Sequence, residues 1–224
     1  MPPQRSKTVE ALLAGAERAF AERGFHGASI GYICQCAGRT TGAFYSNYDN
    51  KLKLFLDVFR RHSDRTAEHI GDRIADVDTE RDLAPQLARI FAEIISGGAL
   101  DERWVFIHLE FRLMAHRDRN AAIALVEHEE RFSRRIGTML DALFERTGHR
   151  PVLPGAELAG LLGAMTRGVK LDRGIYTTGG VADPLTGDHM TRALEGLFTP
   201  SPVPPSPSGE SRAQEYPGHL PPPR

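Results

Sequence analysis

The sequence predicts an all-α protein, with a small helix-turn-helix unit at the N-terminus joined to a larger helical bundle. Three observations carry that reading. Apolar residues recur with a helical period almost to residue 198, and no segment alternates convincingly as a strand would. The breaks between periodic segments are short clusters such as "TGHRPVLPG" and "TTGGVADPLTGD", rich in turn-forming residues. Nine of the fifteen prolines fall after Thr199, in a tail too polar and too interrupted to build a core.

The elements follow in order. "VEALLAGAERAFAERG" places Val9, Leu12, Leu13, Ala16, Ala19 and Phe20 on one helical face. Gly24 stops it, with Arg23 placed favourably near the negative end of the helix dipole. "ASIGYICQCAG" is a short helix with Ser29 as candidate N-cap and Gly38 at its end, where the bend calls for a positive φ. "GRTTGAFYSNY" is a second short segment. Capped by Asp49 or Asn50, the next helix carries a stripe through Leu52, Phe55, Val58 and Phe59. Further helices are expected at about 80–97, 101–116, 119–147, 155–177 and 187–198. The predicted division is 1–50 for the helix-turn-helix unit, 51–198 for the bundle and 199–224 for the tail. The tail reads as disordered or locally polyproline II, either a solvated segment or a ligand for an aromatic groove.

Totals narrow the function classes. The 224 residues are 41% hydrophobic, enough for a real core. No apolar run approaches the ~18–20 residues that span a bilayer, and the N-terminus has no signal-peptide core. A cytoplasmic protein is expected, without membrane contact. Cys34 and Cys36 fit a reducing compartment; two residues apart on a helix, they point to different sides and make a poor metal site or mutual disulfide. The net charge of −1 hides an asymmetry: residues 1–65 hold ten Lys/Arg against six Asp/Glu, while the remainder is acidic. A basic N-terminal piece on an acidic body suggests that only the former meets a polyanion.

The two short helices explain the odd composition of "GRTTGAFYSNY". Ile30, Ile33 and Ala37 supply an inner face for the first, and Phe44 and Tyr48 fasten the second inward. A helix that enters the DNA major groove must keep hydrogen-bonding groups outside. Thr40 can cap it and face a phosphate, and Thr41 offers a hydroxyl and a methyl to a base edge. Gly42 permits close backbone approach. Tyr45 has a hydroxyl for phosphate and a ring for sugar or thymine, though simple packing would also account for it. Lys51 is a cation in the first turn of the next helix, beside that helix's free N–H groups.

These residues resemble the DNA-binding domain of the TetR family of bacterial transcriptional regulators over residues 9–55. The matching pieces are "AFAERGFHGASI" and "ICQCAGRTTGAFYSNYDNKLKLF", with Gly24-Phe25, Ser29, Ala37-Gly38, Phe44-Tyr45, Tyr48 and Lys51 at the family's motif positions. The resemblance implies phosphate contacts from Ser29, Tyr45, Asn47 and Lys51. It implies base or groove contacts from Thr40, Thr41 and Ala43, and a core place for Phe44. Two positions depart from the pattern. Arg39 stands where an apolar turn residue is usual, either adding a DNA contact or remaining solvated. Cys34 stands where a small Ala is usual, and packs as a small hydrophobe or serves as a redox switch.

The region after residue 70 has no phosphate loop, zinc spacing or nucleophile elbow, so no catalytic, metal or cofactor site is assigned and an enzyme is not expected. His128 and Arg131, three apart, are expected on a solvated face. On "DERWVFIHLEFRLMAHR", Trp104, Ile107, His108, Phe111, Met114 and Ala115 share one broad face. The family resemblance implies a small-molecule effector here. Its candidate contacts are Phe91, Trp104, His108, Phe111, Met114 and Met165, each of which reads equally as plain core. "AELAGLLGAMTRGVKLDRGIY", with Gly160, Gly163 and Gly168, and "HMTRALEGLF" are expected to form a homodimer through the last two helices. Double-stranded DNA is then the expected partner, read by two recognition helices about one turn, ~34 Å, apart. A repressor released by an inducer is the leading expectation, beside an activator or corepressor-dependent repressor of the same fold, or a helical interaction module without DNA binding.

Overall fold

The computed structural model describes residues 3–96, 102–180 and 188–200. The order is α1 (Pro3–Gly27), α2 (Ile30–Ala37), α3 (Thr41–Tyr45), α4 (Lys51–Ala75), α5 (Leu83–Ile95), α6 (Glu102–Ala115), α7 (Arg119–Thr147), β1 (His149–Pro151), α8 (Gly155–Gly179), α9 (Asp188–Glu195) and β2 (Phe198–Pro200). The predicted helices are all present. The expected break at Gly97-Gly98 and the tail beyond residue 200 lie outside the described residues, as does most of "TTGGVADPLTGD".

One expectation changes at the C-terminal end. The last helix stops at Glu195, and Phe198–Pro200 pairs antiparallel with His149–Pro151 as a two-stranded ribbon. Three residues per strand are too few to reveal an alternating pattern. The ribbon starts where Gly148 ends α7 in the left-handed conformation, a φ of 67°.

Local chemistry explains the N-terminal boundaries. The Ser29 hydroxyl accepts the Tyr32 N–H at 3.1 Å and caps α2; the Thr40 hydroxyl accepts the Ala43 N–H at 3.2 Å and caps α3. Of the two predicted caps for α4, Asn50 is the one used, its side-chain oxygen taking the Lys53 N–H at 2.9 Å. Gly38 turns the chain between α2 and α3 at φ 60°. Gly24 breaks the helical run of α1 at φ 67° and ψ 177°, as expected, and a separate short turn continues to Gly27.

Two cores form. The first joins Leu12, Ala16, Phe20, Ile33, Phe44, Leu54 and Phe55 to Ile107 and Phe111, so α6 is part of the core that holds the helix-turn-helix. The second gathers Ile74, Leu83, Ile90, Leu140, Phe144 and Leu158 from α4, α5, α7 and α8. Helices α7 and α8 pack antiparallel and touch backbone to backbone at Gly137 and Gly155, where a Cβ on either would run into the other helix. An added Cβ at Gly160, Gly163 or Gly168 would meet little within the protomer.

Candidate nucleic-acid interface and internal cavity

Helix α3 presents a polar face and an inward aromatic pair. Phe44 is fully buried and Tyr48 nearly so, its hydroxyl donating to Asp57 Oδ2 at 3.2 Å. Burial and that carboxylate push the Tyr48 phenol above its ordinary range. Outside lie Ser29, Arg39, Thr40, Thr41, Gly42 and Tyr45, all exposed. Tyr45 is 61% exposed, a large aromatic held in water by the short helix beneath it. Ala43 and Asn47 are half-buried, and the Asn47 amide donates to Ala43 O at 2.8 Å. Arg39 sits on the turn, its guanidinium donating to Gly38 O at 3.0 Å.

Lys51 lies against backbone carbonyls. Its ammonium donates to Phe25 O at 2.6 Å and Ala28 O at 3.0 Å, with His26 O at 3.5 Å, and it lies 4.6 Å from the Phe25 ring centroid. A lysine has three donors, and these carbonyls engage them. Burial lowers its pKa, with the Glu110 charge acting in the opposite direction. Lys51 therefore clasps the end of α1.

Glu110 of α6 completes the same joint. Its Oε2 accepts the Phe25 N–H at 2.7 Å. A Cβ at Gly24 would collide with this carboxylate, which explains the glycine beyond its positive φ. Aromatic rings continue inward from the joint. Phe55 lies 5.3 Å from Phe20, 4.9 Å from Phe25, 5.0 Å from Phe111 and 5.7 Å from Phe59, and Phe59 lies 4.9 Å from His108 and 4.4 Å from His128.

Phe59 is also a wall of a cavity of about 230 Å³ enclosed by α4 to α8, with Leu194 of α9 and Leu197 behind it. That is just below the ~300–1,000 Å³ typical of small-molecule pockets. Of the predicted lining residues, Phe91, Trp104 and His108 are there. Phe111 is not: it is fully buried in the N-terminal core, against Phe55. Met114 packs on that same core and Met165 on the small cluster of Ala88, Phe91 and Leu194. One broad helix face here serves two neighbours, which periodicity cannot separate.

The cavity has a polar end that sequence reasoning missed. His128 is not on a solvated face; its Nε2 lies 2.9 Å from Ser63 Oγ, and burial, reinforced by neighbouring positive groups, lowers its pKa to about 4. His108 is likewise held below its ordinary range, chiefly by burial. Arg112 Nη2 lies 2.8 Å from Glu129 Oε1, a charge contact outside hydrogen-bond angles, and His108 Nε2 is 3.5 Å from the same oxygen. Burial raises the Glu129 carboxyl, but the neighbouring His108 and the charges of Arg112 and Arg167 outweigh it and hold its pKa below the ordinary value. The only available signal was the four-residue spacing of His108 and Arg112; Glu129 and Arg167 come from two other helices. Among the described residues no three His, Cys, Asp or Glu are grouped to hold a metal, and no helix is long and apolar enough to cross a membrane.

The helix-turn-helix shares its core with a helical body that holds an internal cavity. Residues 12–58 match the family model of bacterial regulatory proteins of the tetR family. It is 36% identical over 61 residues to the HTH-type transcriptional repressor AcnR of Corynebacterium efficiens, covering 27% of this chain and 32% of that one. It is 26% identical over 95 residues to the HTH-type transcriptional activator FasR of Mycolicibacterium smegmatis, covering 42% and 43%. The chain thus spans less than half the length of either relative. The fold as a whole resembles a crystal structure from Mesorhizobium loti assigned to the same family, with a TM-score of 0.65 at 16% identity over 87% of this chain and 98% of that one.

Proposed function

We propose that this chain binds operator DNA as a homodimer and represses transcription until a small molecule enters the cavity. The exposed Tyr45 on a short, firmly anchored helix carries the proposal. A ring and hydroxyl left in water beside Thr40, Thr41 and Gly42 suit a phosphate and groove surface better than a core. Functionally, residues 1–50 read the DNA, 51–198 bind effector and partner, and 199–224 lie outside both tasks.

The dimer reading rests on the outward face of α8. Leu161 and Ile175, 40% and 70% exposed, lie on one line with exposed Ala164 and Gly168 at three- and four-residue spacing. Small and apolar side chains on one face suit close packing against a second copy, which would also supply the second recognition helix. Effector control follows from the joint: α6 carries His108 at the cavity and Glu110 at the end of α1. A ligand shifts the DNA-competent population only by its different affinity for the two states.

Fluorescence anisotropy with the duplex upstream of the chain's own gene tests the reading. Wild type should bind with a steep salt dependence. Tyr45→Ala should weaken all sequences by roughly five- to tenfold, the value of one hydrogen bond of about 1 kcal/mol. Thr41→Ala should act mainly on sequence preference. Wild-type affinity in Tyr45→Ala would refute the assignment of this face. The likeness to FasR favours an activator as the second reading, which a reporter fused to the upstream region separates by the sign of its response.

A further inference from the structure

The cavity is polarised from end to end. Helices α7 and α8 run antiparallel, so Glu129 and Arg167 fall at one end and Phe144 and Leu158 at the other. The stretch of α7 from Phe132 to Phe144 spans about 18 Å at 1.5 Å per residue, and its wall residues beyond Ser133 are Ile136, Leu140 and Phe144. The charged groups at the polar end do not balance. Arg112 is matched by Glu129 at 2.8 Å. Arg167 lines the cavity half-buried, and among the described residues no carboxylate lies within ion-pair distance of it and no hydrogen bond engages it. The buried His108 Nε2 and Glu129 Oε1 face each other at 3.5 Å, so the carboxylate is already occupied by His108 and Arg112.

An unmatched guanidinium in a partly desolvated pocket is a costly arrangement unless an anion completes it. A cationic ligand would meet two arginines against one carboxylate. A neutral ligand would leave Arg167 desolvated and unpaired. We propose that the cavity takes an amphipathic monoanion, an organic acid whose carboxylate pairs with Arg167 and whose hydrocarbon body lies along the apolar wall from Phe132 to Phe144. The chemistry of the ligand rests on the reading of this cavity as the effector site, but its binding is measurable without DNA.

The test uses three probes of equal chain length on the full chain: decanoate, decanol and decyltrimethylammonium, titrated by calorimetry at pH 7. Decanoate should bind at least about tenfold more tightly than either of the others, as a charge-assisted pairing requires. Arg167→Met keeps the apolar stem and removes the charge. It should erase the preference for decanoate and leave decanol unchanged, with Arg167→Lys retaining part of the preference. Equal binding of the three, tightest binding of the ammonium, no binding of decanoate up to its solubility limit, or an undiminished preference in Arg167→Met would each overturn the proposal. The wild-type comparison stands even if the variants fold poorly. Decanoate binding that leaves operator affinity unchanged would count against the regulatory reading and leave the ligand class standing.

Discussion

Replacing Glu110 by alanine tests the joint between the body and the helix-turn-helix. The carboxylate accepts one half-buried backbone N–H, from Phe25, at 2.7 Å. A hydrogen bond to a charged group is worth about 1.5–3 kcal/mol, and in Glu110→Ala the Phe25 N–H is left without that acceptor at a crowded kink. A chain of this size shifts its melting temperature by roughly 2–4 °C per kcal/mol. Glu110→Ala should therefore melt about 3–12 °C lower than wild type, followed by far-UV circular dichroism at one fixed protomer concentration. Glu110→Gln keeps a neutral acceptor of the same shape and should fall between the two. A loss under about 0.5 kcal/mol in Glu110→Ala would show that the contact contributes nothing, and with it that α6 does not hold α1 through this residue.

Lys51→Met should lower stability by about 1–3 kcal/mol, because three carbonyls at the end of α1 lose their donor; urea denaturation checks it. A variant with wild-type stability and weakened DNA binding would instead return Lys51 to the phosphate role. His128 takes its proton near pH 6.5 when unfolded but near 4 when folded, so the unfolded state binds more protons between those values. Stability should fall as pH drops through that window, by on the order of 3 kcal/mol, and His128→Gln should flatten the slope. Gly137→Ala should cost about 1–3 kcal/mol by forcing α7 off α8, whereas Gly160→Ala, whose added Cβ meets only Ser133 Oγ at 3.7 Å, should melt like wild type.

The legible features were those written in local sequence. Ser29 and Thr40 cap the helices they were expected to cap, Gly38 takes the positive φ, and Phe44 and Tyr48 point inward. Each depends on residues within a few positions. The cavity was legible only in part, because its wall is assembled from helices far apart in the chain. Trp104 and His108 face it while Phe111, one turn further along α6, faces the other core. The amphipathic pattern marks all three as inward and cannot say toward what. Lys51 shows the same limit at shorter range: its position beside a helix N-terminus suggests a phosphate, but the carbonyls it meets come from a segment some twenty-five residues earlier.

The run of rings from Phe20 and Phe25 through Phe55 and Phe59 to the cavity has a consequence for how such proteins can be recombined. A cut after residue 50 separates Phe20 and Phe25 from Phe55 and Phe111, although it falls between helices and looks like a clean seam. Residues 1–50 grafted onto a foreign body would arrive with half a core and find a new α6 in place of Ile107, Glu110 and Phe111. The portable piece is larger: α1 to the middle of α4 together with the α6 face that seals it. The helix-turn-helix and the body's first core are thereby inherited as a pair, and a chimaera that keeps one while exchanging the other has to rebuild this aromatic seam residue by residue.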